Sequence, residues 1–64
     1  MTHIILELDR FESDIERQIR AFRECILRFH DGLEWEGVDP LTVPIVVNPV
    51  DEFVPWTYHI ERPL

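Results

Sequence analysis

Apolar residues at Phe11, Ile15, Ile19, Phe22, Ile26, Phe29 and Leu33 recur at steps of four, four, three, four, three and four. That spacing follows one face of a helix with about 3.6 residues per turn and predicts an amphipathic helix over Phe11–Asp31. On the opposite face Glu16, Arg20, Glu24 and Arg28 alternate in sign at i,i+4. Such pairs support a helix by ~0.2–0.5 kcal/mol each, and Arg10 with Asp14 fits the same spacing. Two capping patterns compete for the helix start, Asp9 with Glu12 and Ser13 with Glu16. The stop reads as Gly32 in His30-Asp31-Gly32, where a left-handed residue commonly ends a helix.

The pattern changes on both sides of this helix. Thr2, Ile4, Leu6 and Leu8 alternate with His3, Ile5 and Glu7, which is strand periodicity, and the Ile-Ile pair is β-branched. Ile4, Leu8 and Phe11 also extend the helical stripe, so one helix from about Thr2 to Asp31 is the alternative. After Gly37 five prolines, at 40, 44, 49, 55 and 63, rule out a further long helix. Thr42–Val47 reads as a strand and Asn48–Glu52 as a turn. Val54–Glu61 reads as a second strand, with Trp56, Tyr58 and Ile60 on one side. Both runs contain proline, which suits an edge or an irregular start. The expected fold is a single α+β domain over residues 1–64, one long helix packed on a small antiparallel sheet formed by the two late strands. The alternative is a mainly helical dimer with a proline-rich extended tail.

Size adds a constraint. A chain of 64 residues buries only about 60% of its unfolded surface, so its stability margin is thin. Cys25 is the sole cysteine and cannot form an internal bridge, which leaves self-association as the available staple and predicts a homo-oligomer. The single cysteine, and an opening run that lacks the basic segment of an export signal, lead us to expect a cytoplasmic setting. No apolar stretch approaches the ~20 residues that span a bilayer.

The formal net charge is −7, and all six basic residues are arginine. Direct nucleic-acid binding and an anionic membrane surface are both disfavoured, since each calls for clustered positive charge. The segment from Asp9 to Asp31 is nearly neutral, with six acids against five arginines. From Gly32 onward Arg62 faces six acids, Glu34, Glu36, Asp39, Asp51, Glu52 and Glu61. Arg10, Arg17, Arg20, Arg23 and Arg28 are interleaved with acids and read as a solvated, salt-bridged face.

Catalytic and metal chemistry find little support. His3, His30 and His59 fall in three different elements, without the ligand spacing of a structural zinc site. Cys25 sits beside the apolar stripe, without a glycine-rich oxyanion loop or a Cys-His-Asn pattern in the sequence, and reads as a small hydrophobe. So small a fold is expected to have little room for a ligand cleft of ~300–1,000 Å³. Neither catalytic residues, nor a metal, nor a cofactor is expected.

The feature that does suggest function is acid set among large aromatics. Glu34, Trp35 and Glu36 are consecutive, and Asp51 and Glu52 precede Trp56 and Tyr58. Aromatic residues anchor interface cores, and acids beside them steer a basic partner. These seven residues are the candidate partner-binding set, with Trp35 expected exposed between its acids, while Trp56, on a strand expected to face the helix, also reads as completing the core. The leading expectation is a non-enzymatic inhibitor or adaptor for a larger, basic protein, such as one that handles nucleic acid. The alternative is a structural or assembly subunit acting as a homo-oligomer. Size, acidity and the lack of catalytic signature resemble in type the small accessory proteins of phages and mobile elements. That resemblance rests on no motif and assigns no residue.

Overall fold

The computed structural model describes residues 1–30, 32–51 and 57–64. The element order is β1 (His3–Asp9), α1 (Ile15–Phe29), β2 (Ile45–Val50) and β3 (Thr57–Glu61). The fold class is α+β, as the sequence predicts, and the first segment is a strand. The sheet order is β2-β1-β3, with β1 in the centre. β1 pairs parallel with β2, Ile4 opposite Ile45, and antiparallel with β3, Ile4 opposite Ile60. The two late strands were expected to pair with each other; instead each flanks β1, and the sheet is mixed. The cause lies in β1: every second residue, Ile4, Leu6 and Leu8, is buried. The strand with the most regular apolar alternation takes the centre, and the proline-containing segments fall outside it.

Backbone parity shows how Pro49 fits within β2. The Ile4 N–H donates to the Pro44 carbonyl at 2.9 Å and the Arg10 N–H to the Val50 carbonyl at 2.8 Å. Even-numbered residues of β2 therefore bond β1, and odd-numbered ones face the outer edge. Proline at 49 removes an N–H only from that outer edge and costs no ladder bond.

The helix is shorter than its apolar stripe. Asp14 caps it by accepting from the Arg17 N–H at 3.0 Å, so neither expected capping pair is used. Asp9 and Glu12 instead hold tight turns before it, accepting from the Phe11 N–H at 2.9 Å and the Asp14 N–H at 3.2 Å. Phe11 is thereby left ahead of the helix and 78% exposed. At the other end the His30 N–H closes the last turn on the Ile26 carbonyl at 3.0 Å. His30 is extended, with φ −69° and ψ 147°, so the helix stops without a left-handed glycine. Gly37 has positive φ and Gly32 does not. Phe29 and Leu33 are exposed, contrary to the long-stripe expectation.

One apolar cluster unites the elements: Ile4, Leu6 and Leu8 of β1, Phe22 and Ile26 of α1, and Trp35 and Val43 of the connection to β2. Phe22 lies edge-on to Tyr58 of β3, with ring centroids 5.2 Å apart. Among the described residues no buried side-chain nitrogen or oxygen lacks a hydrogen-bond partner.

Candidate acidic interaction surface

The connection from α1 to β2 is built from two turns. In the first, the Val38 N–H donates to the Trp35 carbonyl at 2.9 Å, and Gly37, with φ 76°, stands at the third position. Glycine alone adopts that conformation without Cβ strain. In the second, Asp39 precedes Pro40, the favoured order for the first two turn residues. The Asp39 Oδ1 accepts from the Leu41 N–H at 2.9 Å, and its carbonyl from the Thr42 and Val43 N–H groups at 3.2 and 2.9 Å. These turns point Trp35 and Val43 into the core, 3% and 6% exposed.

Side chains from the helix and from β3 then hold the connection. Arg23 Nη1 donates to the Pro40 and Val43 carbonyls at 2.9 and 2.8 Å. Arg62, just after β3, donates from Nη2 to the Glu34 carbonyl at 2.8 Å and from Nη1 to the Glu36 carbonyl at 3.3 Å. Trp35 Nε1 donates to the Tyr58 hydroxyl at 3.3 Å, which donates to Glu34 Oε2 at 3.5 Å. His30, Trp35, Tyr58 and Phe22 form a chain of ring contacts at 6.0, 5.8 and 5.2 Å.

Of the candidate residues, Glu34, Trp35, Glu36 and Tyr58 are thus brought together. Trp35 is buried rather than exposed, because Gly37 and Arg62 turn its loop back over β3; the two glutamates stay in solvent. Asp51 lies apart, paired with Arg10 at 2.9 Å beyond the other end of β1. Glu52 and Trp56 fall outside the described residues. Sequence reasoning missed Arg62 and Arg23. Arg62 was marked as the single cation of the acidic half, and Arg23 by lying four residues from Ile19 and three from Ile26, at the stripe's edge.

The expected salt-bridged arginine face is not formed. The ion pairs among the described residues are Arg10–Asp51 and His59–Glu61, each at 2.9 Å; Glu16, Arg20, Glu24 and Arg28 make none with one another within 4.0 Å. An i,i+4 pair in solvent gains too little to hold two long side chains in one geometry.

An open groove of about 500 Å³ lies between residues 1–2 and the 37–44 segment. Its volume falls in the range of ligand clefts, larger than expected. Asp39 is its one lining acid, and that carboxylate is occupied in its own turn. Cys25 is half-buried and reduced, and the described residues hold no group of three or more ligands that could bind a metal. Among them, no helix is long and apolar enough to cross a membrane. No family model, curated protein or solved structure matches the chain.

Proposed function

We propose that the protein is a non-enzymatic interaction module that binds a larger, basic protein, as inhibitor or adaptor, through the acidic rim at Glu34 and Glu36. The observation that supports this is the pairing of free charge with fixed backbone. Neither carboxylate has a cationic partner among the described residues, while Arg62 grips both backbone carbonyls and Trp35 is locked beneath them. Acids carried on a fixed backbone leave only side-chain freedom to lose on meeting a basic surface, and their charge accelerates the encounter. Trp35 serves here as a strut under the rim.

The test is affinity capture from the native host with the wild-type chain and with a Glu34→Gln/Glu36→Gln variant. The expected result is a basic protein retained by the wild type that associates more slowly, and with weaker salt dependence, with the variant. Capture of no basic protein, or equal association by both chains, would overturn the proposal. A second reading, an assembly subunit acting as a homo-oligomer, is favoured by the sheet, which ends on both sides in a strand with no further strand beside it among the described residues.

A further inference from the structure

The two sheet edges differ in what they offer another strand. On β2 the outward backbone groups belong to Ile45, Val47 and Pro49, and proline has no N–H to give. A proline on an edge blunts it against pairing. On β3 the odd residues, Thr57, His59 and Glu61, stand opposite the odd residues of β1, which point away from β2. The outward N–H and carbonyl groups of β3 are therefore those of Tyr58 and Ile60, followed by Arg62, with no proline among them. Pro63 falls at an inward position, where its missing N–H costs this edge nothing.

From this we infer that β3 is the docking edge for a second copy of the chain, the two β3 strands pairing antiparallel about a twofold axis at Ile60. This rests on the second reading above. The occupant follows from the pairing of imidazole with carboxylate across the strands. With Ile60 opposite Ile60 of the second copy, His59 lies opposite Glu61 and Glu61 opposite His59, so both cross-strand pairs are complementary. A shift of the axis to residue 59 would set His59 against His59, and a shift to 61 would set Glu61 against Glu61. Only the Ile60 register opposes unlike groups twice. These side chains are about half exposed, 55% for His59 and 51% for Glu61, and lie on the sheet face away from the core; within one chain they contact each other at 2.9 Å, and pairing across the strands would exchange that contact for two between copies. The same register places Arg62 opposite Tyr58, whose hydroxyl touches Glu34. It also joins the half-buried Tyr58 and Ile60 of two copies into one apolar row, with both helices on the same face of a six-stranded sheet.

The experiment is sedimentation of the reduced chain over a range of concentrations, with circular dichroism to confirm folding, for the wild type, His59→Glu, Glu61→Arg and the double swap. The wild type should show a species of twice the 7.7 kDa chain mass that dissociates on dilution. His59→Glu opposes two carboxylates at each cross-strand pair, and Glu61→Arg leaves each His59 facing a cation. Each single variant should weaken the dimer by roughly tenfold. The double swap sets an introduced glutamate against an introduced arginine at each pair, and should restore the dimer. A wild type that stays at 7.7 kDa throughout overturns the inference and the second reading together. A dimer indifferent to both single variants, or one that the swap fails to restore, overturns the β3 register and leaves self-association through another surface.

Discussion

The two ends of the sheet use charge in opposite ways. Beyond the C-terminal end of β1, Arg10 meets Asp51 at 2.9 Å with side chains 56% and 77% exposed, and Phe11 lies in solvent beside the Arg10 guanidinium, 5.5 Å from its ring centre. At the other end, Arg23 and Arg62 spend their charge on backbone carbonyls of the connecting loop, around a buried Trp35 and Val43. An exposed ion pair competes with water and salt and contributes little. The Arg23 guanidinium, on partly buried carbonyls, satisfies acceptors that would otherwise lose water with nothing in return, whereas Arg62 makes its bonds in exposed positions. The small core is thus extended by Arg23 acting on backbone, and Glu34 and Glu36 remain on the surface.

The contrast between the two ends predicts an order of sensitivity. Phe22→Ala and Trp35→Ala should each cost about 3–5 kcal/mol, since both rings are buried in the single cluster. For a domain of this size that approaches the whole stability, and loss of the cooperative melting transition is the expected readout. Arg23→Met keeps most of the stem but leaves the Pro40 and Val43 carbonyls without their donor; about 1–3 kcal/mol should be lost in denaturant unfolding.

Gly37→Ala sharpens the same end by separating sterics from backbone. No atom lies within 4 Å of where its Cβ would stand, so the expected loss of about 1–2 kcal/mol is the cost of a left-handed alanine alone. Gly37→Asn should lose less, since asparagine tolerates that conformation better. Smallest of all, Asp51→Asn should shift stability by no more than about 0.5 kcal/mol, and added salt should erase the difference. An Asp51→Asn effect equal to that of Arg23→Met would break the contrast between the ends.

How much of this was legible in the sequence follows the same division. Periodicity located β1 and the buried Phe22 and Ile26, because alternation and helical spacing report burial directly. It overran the helix at both ends, where Phe11 and Leu33 keep the spacing but capping by Asp14 and the extended His30 end the element first, and it counted as core the exposed last helical residue, Phe29. Strand partners were not legible, since two proline-containing strands fit either side of β1 or each other. For Trp35 the acidic neighbours pointed to exposure, yet adjacent residues in a turn face different directions, and Gly37 and Arg62 decide which of them goes inward. Of the candidate set, Glu34, Glu36 and Tyr58 were found together through contacts across 24 to 28 residues of sequence that no local pattern encodes.

The burial of Trp35 beneath the acidic rim is directly open to measurement. With Trp56→Phe removing the second indole, and at dilutions where the chain is monomeric, acrylamide quenching reports on Trp35 alone. A buried Trp35 predicts an indole shielded in the native chain and as quenchable as free tryptophan only after cooperative unfolding. Full quenching before unfolding would contradict that burial, returning Trp35 to the surface and removing the strut beneath the acidic rim.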